Sequence, residues 1–427
     1  MKKSIAALVV WLLMLRFTFT GTKNCGEASA FVLFGLYLIL AYLYFRTVTN
    51  DENILQKIST PVTYSRWIFV ALGGLSILAT YEELRKIFRR YPNYSEFSDV
   101  LPQLETQYQR FTHGIFPYTP LETISYHPFP AYMPLHWLPI AIPTALQIDI
   151  RWCGFFVLLA SVGIYANYIA KKSINNWIKC FLILFPSVVL WFFIIYNSLV
   201  PHELCLPVTI ETVIVSYYLI LAVGLLADSP ILITIGLILC LLSRYTMLFW
   251  LPIFALLWWK YEPKKLNFRI WGSVLVAILV FYVFPFCSID PLIFQKSIAY
   301  HNAAVLDEWQ GYGENHVSWS MECGVYFAKY FKAILPGEML QKVHLMRYTQ
   351  LSLMLLVIIA AYFTHKKCHK IINKNQFSFL FLYLILVFFY FFSPLTYRYY
   401  LITTLMLAGI MTAEIWIYSF ARKTAKS

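Results

Sequence analysis

Charged side chains are scarce in this 427-residue chain. They make up 13% of positions, where a soluble domain carries about 25%, and the shortage excludes an ordinary water-solvated fold. Several functional signatures are missing as well. No P-loop, no G-x-G-x-x-G after a strand and no H-E-x-x-H occurs, so ATP-driven pumping, dinucleotide chemistry and zinc proteolysis lose their usual marks. The eight cysteines show no C-x-x-C or Cys/His metal spacing, which argues against zinc. Cys287 and Cys323 flank one expected outer loop and are compatible with a disulfide or with plain apolar filling. Neither a Gly/Ser linker nor an internal repeat is present.

What the chain has in excess is apolar: 60% hydrophobic and 19% aromatic residues. Runs such as Phe31 to Phe45, Trp152 to Ala170, Leu206 to Ala227 and Phe377 to Phe392 approach the roughly 20 residues a helix needs to cross ~30 Å of hydrocarbon. The basic start Met1-Lys2-Lys3 and the apolar stretch to about Phe19 imitate a signal peptide. No small-residue cleavage site of the A-x-A kind follows, so a retained helix is expected.

The net charge of +13 raises the possibility of nucleic acid, but its distribution points elsewhere. Lys171, Lys172 and Lys179 fall between two spans, as do Lys260, Lys264, Lys265 and Arg269. Lys366, Lys367, Lys370 and Lys374 fall between a third pair, and Arg422, Lys423 and Lys426 close the chain. In short loops such cations mark the cytoplasmic side. The basic excess therefore reads as a topology signal on a bilayer, with no nucleic-acid partner.

Spans are expected at 4–20, 27–45, 67–82, 152–170, 178–195, 206–227, 231–243, 246–259, 270–287, 347–364, 376–392 and 400–420. The result is an all-α polytopic membrane protein of about twelve transmembrane helices with both ends cytoplasmic. Two larger extracytoplasmic loops, 83–151 and 288–346, carry interfacial helices. The chain divides into residues 1–66 with two N-terminal helices, a core at 67–287, the second outer loop at 288–346 and C-terminal helices at 347–427. Ser243-Arg244-Tyr245 interrupts Ile231 to Trp259. A charge at a helix centre costs about 2.5–3.5 kcal/mol, so a hairpin with Arg244 at the outer surface is expected. Pro134, Pro139 and Pro143 break Tyr132 to Ile148, which is expected to lie on the outer leaflet. Arg85, Lys86, Arg89 and Arg90 open the first loop on the outer side, against the positive-inside rule but tolerable in a long loop.

Loops this long usually serve a function. The first contains Ser95-Glu96-Phe97-Ser98-Asp99-Val100, Gly114-Ile115-Phe116-Pro117-Tyr118, and His127-Pro128-Phe129-Pro130-Ala131-Tyr132-Met133-Pro134-Leu135, and Arg151 opens the next span. An acid after a transmembrane helix, then Gly-x-x-Pro-Tyr, an aromatic Y-x-P-L element and an Arg before the next helix resemble the GT-C glycosyltransferases. The likeness is greatest to the polyprenol-phosphate-sugar-dependent, mannosyltransferase-like branch, and its motifs lie mainly in residues 95–151.

The resemblance implies a hexosyltransferase of cell-envelope glycan assembly, set in a bacterial inner or plasma membrane with an extracytoplasmic active site. It would move a sugar from a polyprenyl-phosphate-linked donor to a glycan, lipid or protein acceptor, with Asp99 as general base. Arg398, in Tyr397-Arg398-Tyr399-Tyr400, resembles the family's late basic residue that contacts lipid phosphate. Arg244, His202, Glu203, Tyr118 and His127 complete the expected donor and substrate contacts, with Asn197 beside them. The leaving phosphate is already a stable anion, so no cofactor or metal is required, though a divalent cation stays compatible.

Each residue also has a plainer reading. Asp99 could be a solvated acid or a helix N-cap, with Glu96, Glu105 or Glu122 as the base instead. Arg398 and Arg244 could snorkel to headgroups, and His202 and Glu203 could pair with each other. His301, His316, Asp307 and Glu314 fit an acceptor site or loop packing better than chemistry. Two other functions are open: a transporter or flippase of a lipid-linked saccharide, and an O-antigen ligase or polymerase-type enzyme using a diphosphate donor. The first lacks detectable repeats, and the second lacks an arginine in the late loop before Arg347.

Overall fold

A computed structural model describes residues 2–20, 28–49, 66–92, 99–122, 127–172, 178, 181–182, 189, 211–311, 325–395 and 397–424. Among them every regular element is helical and no strand occurs. The helices are α1 (Lys2–Thr20), α2 (Ser29–Val48), α3 (Arg66–Arg90), α4 (Val100–Thr112), α5 (Pro134–Trp137), α6 (Ala141–Ala145), α7 (Trp152–Lys171) and α8 (Glu211–Leu226). After these come α9 (Pro230–Leu241), α10 (Leu251–Tyr261), α11 (Lys264–Ile278), α12 (Ile293–Gln310), α13 (Ala328–Ile334), α14 (Met339–Cys368), α15 (Lys374–Phe391) and α16 (Leu401–Thr424). Helicity follows from the solvent, because in hydrocarbon each backbone N–H and C=O must find its partner within the chain.

Seven of the described helices are long and apolar enough to cross a membrane: α1, α2, α7, α11 with its π-helical extension Leu279–Cys287, α14, α15 and α16. The chain is thus an all-helical protein suited to a lipid bilayer. Helices α8 and α9 are apolar but shorter, with 16 and 12 residues. The span expected at 178–195 lies almost wholly outside the described residues.

Burial separates centre from periphery. In α16 and α15, 89% and 72% of the apolar window is buried, against 28% in α14 and 22% in α11, so the first two form the core and the others face outward. At the centre stands α8, buried from Glu211 through Leu225 and packed on α7, α9, α15 and α16. A helix that is apolar on every face needs neighbours on every face. Glycine lets two of these neighbours close in. A Cβ on Gly236 of α9 would stand 2.6 Å from Leu221 Cα, and one on Gly224 of α8 would stand 2.8 Å from Ile233 N. This is the small-residue contact by which membrane helices approach one another.

Two expected boundaries are corrected. Helix α3 does not end near residue 82 but runs to Arg90, so the first outer loop starts later than residue 83. Two of the four cations expected in that loop sit on helical surface beside acids, with Arg85 3.3 Å from Glu82 and Lys86 2.6 Å from Glu83, spacings that support a helix modestly. Within 288–346, where a helix-bearing loop is expected, 18 residues form α12. Helix α14 begins at Met339 rather than 347, where Glu338 and Gln341 form a reciprocal capping box after Gly337 turns the chain at φ 96°. The proline-broken segment does fold as expected, in short pieces: α5, a 3-10 turn at Leu138–Ile140, and α6.

Gly236→Val should force α8 and α9 apart and destabilise the protein by about 1–3 kcal/mol, the usual range for overpacking. The measurement is the thermal midpoint of the detergent-purified protein. An unchanged midpoint would mean that the α8–α9 contact does not hold the bundle together.

Candidate active site

The segment between α3 and α7 is anchored at both ends by buried polar contacts. Arg151, 4% exposed, forms a two-pronged ion pair with Asp149, Nε lying 2.9 Å from Oδ1 and Nη2 2.5 Å from Oδ2. It also donates to the carbonyls of Tyr91 at 2.7 Å and Phe88 at 3.3 Å. Those carbonyls end α3, where a cation complements the helix dipole. The arginine of the family-like pattern thus ties the end of α3 to the start of α7.

The Tyr-x-Pro-Leu element fixes the middle of the loop on the bundle. Leu135 N donates to Leu242 O at 2.9 Å, and Tyr217 of α8 donates its hydroxyl to Leu135 O at 2.9 Å. The Tyr132 carbonyl accepts from the Tyr118 hydroxyl at 3.0 Å and from Gln107 Nε2 at 3.3 Å. Gln107 belongs to α4, so the helix that starts beside Asp99 is lashed to the same element. Asp99 itself sits at the N-cap of α4 without making a side-chain cap hydrogen bond. Its Oδ2 accepts instead from Gln103 Nε2 at 2.7 Å, one turn along.

Next to this element lies the chief charge pair of the described bundle. The chain breaks after α9, and Arg244, in extended conformation, precedes a 3-10 turn at Tyr245–Phe249. The interruption expected at Ser243-Arg244-Tyr245 is therefore present, but Arg244 is not at the outer surface. Its side chain is only 13% exposed and forms an ion pair with Glu211 at the head of α8, whose side chain is 2% exposed. Arg244 Nη1 donates to the Tyr390 hydroxyl at 3.1 Å, and the guanidinium carbon lies 4.5 Å above the Tyr400 ring. An inward arginine is tolerable because a carboxylate, a phenol and an aromatic face replace its water.

The two halves meet at tyrosines. Burial raises the Tyr132 phenol well above its usual value; Tyr400 and Asp99 push it further up and Arg244 opposes them. Tyr400 is likewise within electrostatic reach of both Asp99 and Arg244. Its ring stacks on Tyr390 at 5.8 Å and meets Tyr399 edge-on at 4.6 Å. His136, one turn on from Tyr132 and 4.8 Å from it ring to ring, is held well below the usual histidine value by burial and by Arg244. The outcome is a cluster of one partly exposed carboxylate, a buried carboxylate–guanidinium pair, a neutral imidazole and several phenols.

Of the residues singled out in the sequence, Asp99 and Arg244 share the electrostatic partners Tyr132 and Tyr400. Tyr118 is buried and serves as a strut to the Tyr132 carbonyl, packing on Phe286 at 5.1 Å. Arg398 opens the 3-10 turn that carries Tyr400, yet its Nη1 donates to Phe19 O at 3.3 Å, at the C-terminal end of α1. His127 is exposed, with a left-handed φ of 47°. His202, Glu203, Asn197, Glu96, His316 and Glu314 lie outside the described residues, as does Cys323 and with it the pairing to Cys287. Glu105 accepts from Gln109 at 3.3 Å, and Glu122 acts on Arg110. His301 lies on a solvent-accessible face of α12, within electrostatic reach of Arg347. Four members of the site were not singled out for it: Glu211, Tyr132, His136 and Tyr390. Only Tyr132 left a trace, as part of the Y-x-P-L pattern.

No protein-family model matches the chain, and neither a curated protein nor a solved structure is matched by it.

Removing one partner of a buried ion pair costs about 3–5 kcal/mol, because the other charge stays behind. Glu211→Leu and Arg244→Met should each lower the thermal midpoint sharply, while the double variant recovers most of the loss; additive losses would mean the two side chains are not coupled. The buried His136 gives a pH signature. A folded-state pKa below the unfolded value of about 6.5 means the unfolded chain binds more protons, so its contribution is complete above that pH and is lost as pH falls below it. The thermal midpoint should fall between pH 7 and pH 5, and His136→Gln should flatten that slope.

Proposed function

We propose that this chain is an integral-membrane glycosyltransferase of the GT-C type, moving a sugar from a polyprenyl-phosphate donor to an acceptor on the extracytoplasmic face of a bacterial plasma membrane. The observation that supports the reading is that Asp99 and Arg244 both act electrostatically on the same pair of tyrosines, Tyr132 and Tyr400, with Arg244 seated over the Tyr400 ring. In the proposed reaction the acceptor hydroxyl attacks the anomeric carbon as the bond from that carbon to the phosphate oxygen breaks. The hydroxyl proton passes to the Asp99 carboxylate, which acts as general base. The electron pair of the broken bond leaves with the polyprenyl phosphate, and attack from the opposite side inverts the anomeric carbon.

Arg244 is suited to the leaving phosphate. It uses one Nη on Glu211 and the other on Tyr390, which fixes the plane of its fork, and a guanidinium has five donors in all. Tyr132, Tyr399 and Tyr400 offer ring faces of the kind sugars stack upon. Glu414, buried in α16 with its carboxylate 2.6 Å from the Tyr168 hydroxyl, is one observation that favours the transporter reading, since acids inside membrane helices commonly mark ion pathways.

The test is transfer of labelled sugar from a panel of polyprenyl-phosphate hexoses in membranes containing the protein. Asp99→Asn should lower transfer by about 10²–10⁴-fold, the usual contribution of a positioned base, with expression unchanged. Normal transfer in that variant removes Asp99 from the chemistry. Uptake of the saccharide into sealed vesicles without any new glycosidic bond would establish the transporter instead.

A further inference from the structure

A second site stands at the other end of the bundle, independent of the glycosyltransferase reading. Helices α10, α14 and α15 leave between them a cavity of about 350 Å³, within the size range of ligand pockets. Its walls are almost wholly apolar, formed by Leu256, Leu257, Ile358, Ile359, Tyr362 and Phe377. Leu256, Ile359 and Tyr362 are 46%, 42% and 49% exposed, so the groove opens sideways towards the surrounding lipid.

One end of this groove is cationic. His365, buried in its lining, has its ring 5.4 Å from Tyr261, 5.4 Å from Phe377 and 5.9 Å from His369. Lys260 acts on His365 electrostatically, and its ammonium stands 5.1 Å over the Tyr261 ring. Lys366 and Lys367 are exposed in the last turn of α14. The acid in this corner, Glu262, is already paired with Lys374. Among the described residues no ion pair engages Lys260, Lys366 or Lys367. The same cations mark the cytoplasmic side by the positive-inside rule.

We propose that this groove binds an anionic phospholipid of the cytoplasmic leaflet, one acyl chain lying between α10 and α14 and the headgroup phosphate at Lys260 and Lys366. The pairing of an apolar slot with unneutralised cations at its cytoplasmic mouth selects charge as well as chain, as basic pockets between membrane helices do. A polyprenyl-phosphate donor is a different ligand in a different place. Its proposed phosphate partner, Arg244, precedes α10, whereas Lys260 lies at that helix's far end, roughly 20 Å away by helical rise.

Native mass spectrometry of the full-length protein, titrated with phosphatidylglycerol and with phosphatidylcholine of identical chains, tests the proposal. Phosphatidylglycerol should bind at least tenfold more tightly. Lys260→Ala with Lys366→Ala should abolish that preference while leaving phosphatidylcholine binding unchanged. Leu256→Trp, at an exposed wall position, should fill the slot and weaken both lipids, with the thermal midpoint confirming that each variant is folded. Equal binding of the two lipids, or a preference that survives both sets of substitutions, overturns the proposal. Displacement of phosphatidylglycerol by polyprenyl phosphate in equal amount also overturns it, by making the groove a donor site.

Discussion

The buried ion pair between Glu211 and Arg244 is the interaction on which the rest of the arrangement turns. Each charge alone would carry a desolvation penalty too large for a helix interior, and together they remain costly unless further groups complete their solvation. Tyr390 and Tyr400 do so for the guanidinium, one at the C-terminal end of α15 and the other in the turn that leads into α16. Satisfying one arginine therefore ties together the head of α8, the break after α9, the end of α15 and the entrance to α16. The break in turn frees the Leu242 carbonyl to accept from Leu135, which holds the outer loop down. A local electrostatic requirement thereby becomes the reason that the loop bearing Asp99 lies over the bundle.

The same logic explains why the outer segment is built from short pieces. Three prolines prevent a continuous helix between Tyr132 and Ile148, and the freed carbonyls of Tyr132 and Leu135 become acceptors for Gln107, Tyr118 and Tyr217. A straight helix would have used those carbonyls internally. Proline here converts a span-like apolar sequence into a docking element on the bundle.

Hydropathy made most helices legible, since α1, α2, α7, α15 and α16 begin and end within a few residues of the expected spans. The interruption at Arg244 was also readable, because a lone charge in an apolar run is costly wherever its partner lies. The partner was not readable. Glu211 sits inside the apolar run 206–227, where one acid hardly alters a window average, and 33 positions separate it from Arg244. The sequence alone therefore put the arginine at the surface, the cheapest position for an unpaired cation, and the structure turns it inward because it is paired. Helix ends set by capping, such as Glu338 with Gln341, were missed for a related reason: hydropathy measures transfer to lipid, whereas capping is a contest for individual N–H groups.

A site assembled this way divides its polar residues by cost. Asp99 is partly exposed at the head of α4 and accepts a side-chain hydrogen bond from Gln103. Arg244 is held by three neighbours and is expensive to move. If a lipid phosphate enters, it meets a fork whose orientation is already fixed, and the ordering cost has been met in folding rather than in binding. Glu211 limits the strength of that encounter, because a guanidinium already half neutralised attracts a second anion less than a bare one. On the proposed reading, a weakened grip on the leaving polyprenyl phosphate would favour its release, and the buried carboxylate supplies that weakening from within the fold.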